Sequence, residues 1–383
     1  MADPIFDQIS ASTIQDLARD VAQDNFFVET SWQRIMRYYG NEEPFLGGTF
    51  MEEPFQFDRV NGGAYNPGSD VTVVEKTILA AMAFTPRAYK CDLAFNEFTM
   101  KVINAGPAAK INLYDAYYKN AVTAMSTDMN IDWYQHGQAN SGTAVLQNRT
   151  IFMNGYDEAC GDGINPGWMG NVYPNYGGQT RTGAVGNVLN AVPIWAGDAS
   201  GNPGLANWTT VVAAYQNCVQ PPDTLLSNKA LWVYLWSREE AKQRFAQEDD
   251  PRIGLSAMHV FNAHYHIDKL CPSTKFGTLL PSSLSQTTSV TPANFTTPTF
   301  SAGQNSVSNY PSATSCKPGE PLFLPRLQDW KIRVAAAPEF NHNFTPEVRS
   351  QTNPDLVTQF LKAALTTYTP SPRDNSQIVG FGF

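Results

Sequence analysis

Between Pro107 and Gly137 the chain runs without a proline or a glycine (AAKINLYDAYYKNAVTAMSTDMNIDWYQH). Gly106-Pro107 breaks whatever precedes this stretch. Asn112 is suited to serve as an N-cap, and Asp115, at the third helical position, meets the positive end of the helix dipole. Leu113, Tyr117, Ala121, Ala124 and Asp128 step by threes and fours, with Ala116, Asn120, Met125 and Met129 in a second line beside them. The spacing predicts one uninterrupted helix of some six to seven turns, roughly 35 to 40 Å long. Small, aromatic and polar groups alternate around it, so it is not a simple bundle stripe. A helix of this kind needs partners on several sides, and the remainder of the chain is read around it as a spine.

A chain of 383 residues can bury a sizeable core, as one large domain or as two or three lobes. The net charge of -9 argues against a nucleic-acid surface driven by bulk charge. Charged residues make up only 16% of the chain and aromatics 12%. Two readings follow: a β-rich, loop-rich chain, or a surface largely buried against other copies, since interface cores lose charge and gain aromatics. Cys91, Cys160, Cys218, Cys271 and Cys316 are scattered, with no Cys-x-x-Cys pair, and form neither a disulfide framework nor a zinc site. The start MADPIFDQ lacks the basic and apolar regions of a signal peptide, and the most apolar run, Val71 to Phe84, is cut by Glu75 and Lys76. A reducing cytoplasm is the expected place of synthesis, with no membrane span.

Residues 1–45 read as an arm with little core of its own, holding helical pieces at Ser12–Ala22 and Ser31–Tyr39, the second closed by Gly40. From Phe45 to Asn104 the signals are those of strands. Phe55 and Phe57 alternate with polar residues, Asn61 to Asp70 (NGGAYNPGSD) is dense in turn formers, and Val71 to Leu79 is rich in β-branched residues. Tyr89, Cys91, Leu93 and Phe95 alternate with polar neighbours as in a half-buried strand. The sequence predicts a long hairpin with a ten-residue tip, which is marginal alone and must lean on its own body or on another subunit.

Beyond the spine, Leu205, Trp208, Val211, Val212 and Tyr215 mark an amphipathic helix. Asp223–Leu226 reads as a strand leading to Ser227 as N-cap of a helix over Asn228–Gln247, and Ala257–Asp268 as one strand. Pro272 to Lys317 turns to Ser, Thr, Pro and Asn, an exposed or disordered insertion. Leu322–Leu324, Trp330–Ala336, Asp355–Thr367 and Ile378–Phe381 complete the pattern.

No nucleotide-binding, nucleophile-elbow or zincin motif occurs. His264 and His266 share one face of a strand with Asp268, and alternation places His259 on the other; an ordinary polar strand face is the reading adopted. Trp168, Tyr173, Tyr176 and Trp195 lie near glycines and suit either a sugar platform or packing. No catalytic constellation stands out, and no cofactor or metal is assigned.

In their order, several stretches resemble the major capsid proteins of tailed bacteriophages, the Hong Kong 97-like fold. They are Gly48-Thr49-Phe50, Pro54-Phe55 and Gly62-Gly63-Ala64-Tyr65, then Gly106-Pro107 opening the spine. Asn154-Gly155-Tyr156-Asp157-Glu158-Ala159 and Tyr176-Gly177-Gly178-x-x-Arg181 follow, then Leu231-Trp232 to Arg244-Phe245 and Ala263 to Cys271-Pro272. Leu322-Phe323-Leu324, Trp330 to Val334, and Pro372-Arg373 to Phe381 close the series.

The resemblance implies an α+β subunit with an N-terminal arm (1–45), an extended loop and its base (46–104), and a peripheral domain with the spine helix (105–150). An axial domain (151–330) would carry the 272–317 insertion, and strands in 331–383 would complete both sheets. It implies self-assembly into hexamers and pentamers around packaged DNA bound without sequence specificity, in a virion assembled in the host cytoplasm. A portal protein, a separate scaffolding protein and a decoration protein are the implied partners, and no enzyme activity is expected. Expected assembly contacts are Asn61, Gly62, Gly63, Tyr65, Asn66 and Pro67 at the loop tip, and Tyr176, Gly177, Gly178 and Arg181 in the axial motif. Some relatives cross-link through a loop lysine, but the tip Asn61–Asp70 has none, so that chemistry is not carried over. An encapsulin-like compartment or a carbohydrate-binding or carbohydrate-active protein are the alternatives.

Overall fold

Strand Leu356–Tyr368 alternates half-buried and buried positions along most of its length and organises the first of two main sheets. A computed structural model describes residues 31–64, 74–98, 113–134, 154–163, 173–191, 193–197, 203–239, 247–250, 255–271, 320–337, 343–345, 347–349 and 355–382. Along one edge of the organising strand, Arg87–Asn96 runs antiparallel in unbroken register, from Leu356↔Asn96 to Leu365↔Arg87. The other edge takes Val348–Arg349, Asn343–Phe344 and Lys331–Ala335 in succession, and Glu42–Phe45 adds a parallel strand outside the last. The alternation read at Tyr89, Cys91, Leu93 and Phe95 holds: those side chains turn inward, while Ala88, Lys90, Asp92 and Ala94 are exposed.

The spine helix spans Leu113–Tyr134, 22 residues and about 33 Å at ~1.5 Å per residue. It packs on Arg87–Asn96. Ala121, Met125, Met129 and Trp133 form the buried stripe, and in the last turn Asn130, Asp132 and Tyr134 are buried too. The predicted partners on several sides are therefore gathered at its C-terminal end. There Tyr89 Oη donates to Asp132 Oδ2 at 2.8 Å, while earlier in the helix Tyr118 Oη donates to Gln359 Oε1. The proposed N-cap Asn112 and the stretch from Gln135 to Ala139 lie outside the described residues.

Helix Ser31–Tyr39 ends as predicted at Gly40, whose φ of 68° is open to glycine at little cost. The Asn41 N–H reaches back to Met36 O at 3.3 Å, closing a Schellman-type turn. The helix lies against the body of its own subunit. Trp32, Ile35 and Met36 are fully buried, and Trp32 stacks on Trp133 with ring centroids 4.6 Å apart. Ser12–Ala22 and the 272–317 insertion lie outside the described residues.

The second sheet runs Gln247–Asp250, Leu255–Val260, Ala263–Ile267, Thr224–Ser227, Glu320–Leu324, Ser376–Gly382, Ile194–Trp195, with Gly204–Leu205 also on Ser376–Gly382. Leu225, Tyr265, Leu322 and Phe381 on one face pack with Val211, Ala214, Leu231 and Leu235 of helices Trp208–Asn217 and Lys229–Glu239. Leu226, Phe323 and Val379 point the other way, into a cluster with Trp133, Tyr134, Tyr156 and Trp330. A sheet covered on both faces explains why its strands read as apolar runs rather than alternations.

Three sequence expectations change here. Asn228, not Ser227, caps the second helix: its Oδ1 accepts from Leu231 N at 2.9 Å, while Ser227 is a buried strand residue bonded to Tyr265 Oη. That helix is described only to Glu239, and Gln247 belongs to a strand. Ala257–Asp268 is not one strand but parts of two, joined at Phe261-Asn262, with Phe261 at φ 55°. No glycine or proline marks that turn, so periodicity alone could not find it.

Candidate assembly surface

Strands Met51–Gln56 and Leu79–Phe84 form the predicted hairpin as a two-stranded sheet of its own. Pairing runs from Met51↔Phe84 to Gln56↔Leu79, extended by Phe57 N donating to Ile78 O at 3.0 Å. Beyond it Lys76 Nζ lies 2.7 Å from Asp58 Oδ2, and this contact holds the Asp58 carboxyl below its usual pKa. The β-branched run read as a strand from Val71 is corrected: its described part, 74–78, is not strand, and Val74 to Thr77 are exposed.

The root of the hairpin is held tightly. Phe55, Met82 and Phe84 are buried. Phe84 stacks on Tyr368 at 4.7 Å and meets Tyr176 edge-on at 5.4 Å. Glu53 takes Lys331 Nζ at 2.7 Å and the Tyr368 hydroxyl at 3.0 Å, while Arg333 Nε donates to that hydroxyl at 3.2 Å. Burial chiefly, reinforced by Glu53 and opposed by Arg333, pushes the Tyr368 phenol up to about 12.

Two short strands, Asn175–Tyr176 and Gln179–Thr180, form a tight turn against the same root. Ala83 N donates to Gly177 O at 2.8 Å and Gln179 Nε2 to Ala81 O at 2.7 Å. Gly177 has φ 54°, and a Cβ there would lie 2.7 Å from Met82 Cβ, so only glycine fits. Tyr176 Oη donates to Thr369 O at 3.1 Å and accepts from Thr369 N at 3.0 Å. Beneath it the buried Arg181 lies over the Tyr176 ring, 5.2 Å from the centroid, and Nη2 donates to the carbonyls of Glu158 and Ala159 at 2.7 and 3.1 Å. Burial lowers the Arg181 pKa, and the nearby Glu158 charge opposes that shift. The two axial motifs named from sequence, 154–159 and 176–181, thus meet as one packed unit.

The expected contact residues divide accordingly. Asn61, Gly62, Gly63 and Gly178 are exposed. Tyr65, Asn66 and Pro67 lie outside the described residues. Tyr176, Gly177 and Arg181 are buried within their own subunit and pack at the hairpin root. Sequence reading missed Glu53, Phe84, Lys331 and Tyr368, whose contacts cross up to 315 residues of chain. Leu46, Phe50, Val60, Val74 and Leu79 are exposed around the hairpin, at 50 to 89%.

Two other readings are settled by burial and register. Tyr173, Tyr176 and Trp195 are 0 to 2% exposed, so they form core and no sugar platform; Trp168 lies outside the described residues. Because the strand folds into a hairpin, His259 pairs directly with His264 and joins its face, against the expectation. Among the described residues no group of three or more His, Cys, Asp or Glu is arranged to hold a metal, and no helix is long and apolar enough to cross a membrane.

No family model and no curated protein matches the chain in sequence. Solved structures do match in shape. A chain of the cyanophage A-1(L) capsid asymmetric unit superposes with a TM-score of 0.60 at 13% identity, covering 97% of each chain. A capsid chain of a native GTA particle gives 0.52 at 8% identity, covering 96% of this chain and 99% of that one. A chain of Gordonia phage Cozz gives 0.51 at 9% identity, covering 96% and 90%. The chain has the α+β, Hong Kong 97-like fold of phage major capsid proteins.

Proposed function

We propose that this chain is the major capsid protein of a tailed double-stranded DNA bacteriophage. It assembles into hexamers and pentamers that close an icosahedral head around the genome. The hairpin carries the reading: it is rooted by Glu53, Phe84 and Gly177, while Asn61–Gly63, Val60 and Val74 beyond the root are exposed. A two-stranded arm with apolar side chains in water is marginal alone and gains stability by lying on a second copy. Closed repetition multiplies modest contacts of this kind into a stable shell.

Within this reading Asn61, Gly62, Gly63, Tyr65, Asn66 and Pro67 touch the neighbouring subunit. Tyr176, Gly177, Gly178 and Arg181 act through the angle at which the hairpin leaves the body. A portal protein, a separate scaffolding protein and a decoration protein complete the head in the host cytoplasm, the decoration protein docking on the 272–317 insertion. DNA is enclosed without sequence-specific contact, consistent with a net charge of -9. The role is structural rather than enzymatic.

Negative-stain microscopy of purified particles, combined with nuclease treatment, tests the proposal. Shells holding nuclease-resistant DNA support a phage head. DNA-free shells carrying protein cargo point to an encapsulin-like compartment, and dispersed monomers with glycan affinity to the carbohydrate reading.

A further inference from the structure

We propose that His259 and His264 form a binding site for a first-row transition-metal ion such as Zn2+ or Cu2+. Their strands, Leu255–Val260 and Ala263–Ile267, are joined by the two-residue turn Phe261-Asn262, and the register sets His259 directly opposite His264. The His264 N–H donates to Asp223 O at 3.1 Å, on the side of strand Thr224–Ser227. Its backbone amide therefore points away from His259, making this a non-hydrogen-bonded pair. Such pairs bring opposing Cα atoms to about 4.5 Å and their side chains closest together.

The two imidazole centroids are 4.1 Å apart, with planes inclined at 57°. Nitrogens bound to one ion at ~2.0–2.1 Å each sit about 3 Å apart, within reach of ring rotation about the Cβ–Cγ bonds. Both side chains are half-buried, so solvent reaches them while part of their motion is already restricted. The buried His266 packs parallel to His264, centroids 6.1 Å apart and planes at 7°, which steadies the plane of the His264 ring. Imidazole suits zinc, copper and nickel over magnesium or calcium. Among the described residues no third His, Cys, Asp or Glu joins them, so the proposed site is a two-imidazole one. A bound ion would clamp the hairpin that presents Phe261, exposed and strained at φ 55°, at its turn.

Chelator-treated full-length protein titrated with Cu2+ and followed by electron paramagnetic resonance tests this. One ion per chain with hyperfine coupling to two imidazole nitrogens is expected. His259→Ala and His264→Ala should each weaken binding at least tenfold, and His266→Ala should retain it. Zn2+ should raise the thermal midpoint of the wild type but not of the doubly substituted chain, with circular dichroism confirming that the variants fold. Equal binding by the double variant would overturn the proposal by placing the ion elsewhere, for instance at His136 or His342. Absence of binding at hundredfold excess would overturn it as well.

Discussion

Glu53 in the hairpin and Lys331 in a strand of the first sheet form an ion pair of 2.7 Å across 278 residues of chain. The same carboxylate accepts from Tyr368, the last residue of the organising strand, so one side chain ties the arm to two strands of the sheet. The direction in which the hairpin leaves the subunit is thus fixed by the body.

Replacing Glu53 with Gln removes a negative charge beside the Tyr368 hydroxyl. The phenol, pushed up to about 12 chiefly by burial, should then fall part of the way toward the ordinary tyrosine range. A folded pKa raised in this way contributes stability that is whole below pH ~10 and lost as pH rises through the folded value. Glu53→Gln should therefore shrink the alkaline loss of stability in that window. Phenolate absorbance of wild type, Glu53→Gln and Tyr368→Phe isolates the signal. The ion pair itself, partly exposed, should be worth about 1 kcal/mol or less at neutral pH.

Gly177 and Gly178 sit side by side with φ of 54° and 77°, yet only at Gly177 would a Cβ collide, with Met82 and Phe84. Gly178→Ala should cost only the left-handed strain, about 1–2 kcal/mol. Gly177→Ala should cost that and a further ~1–3 kcal/mol of overpacking. Denaturant unfolding of the pair checks the ordering, and equal losses would mean that the turn does not press on the hairpin.

Tyr134 at the end of the spine donates to Asp268 Oδ2 at 2.6 Å, in a wholly buried contact. Tyr134→Phe should cost about 1–3 kcal/mol, because the carboxyl loses a partner where water cannot replace it. Burial raises the Asp268 pKa above 3.8, only partly offset by the Tyr134 and Leu270 hydrogen bonds. Its contribution is whole below the unfolded value and is lost as pH rises through the folded one. Asp268→Asn should flatten that part of the stability profile, measured by unfolding from acid to neutral pH.

Trp32 is 2% exposed and stacked on Trp133. Trp32→Ala should lower stability by about 3–5 kcal/mol and weaken the near-ultraviolet dichroism of the stacked indoles. A loss under about 1 kcal/mol, the scale of surface substitutions, would show that the first described helix is peripheral.

Periodic elements were legible in the sequence. The alternation at Tyr89 to Phe95, the run without proline or glycine that holds Leu113 to Tyr134 and the glycine after Tyr39 each have a local cause, and each led to a correct element. What stayed hidden depended on partners distant in sequence. Phe261 turns the chain with neither glycine nor proline, and its consequence, His259 opposite His264, follows from register alone. Gly177 was named from the motif it shares with the resembled family, whereas the closeness of Met82 to it depends on packing across about 95 residues of chain. Glu53 gave no signal, since a carboxylate in an edge strand is ordinary until Lys331 and Tyr368 are placed beside it.

Sedimentation velocity on the wild type and on a variant with residues 58–77 replaced by Asn-Gly tests most directly whether the hairpin is made to grip another copy. Phe57 and Ile78, already paired through Phe57 N and Ile78 O, would then flank a two-residue turn and leave the root intact. The account predicts that both chains fold with matching circular dichroism, and that the wild type sediments as shells or capsomers while the variant stays at or near the 42.2 kDa monomer. Shells formed equally well by the shortened chain would contradict it.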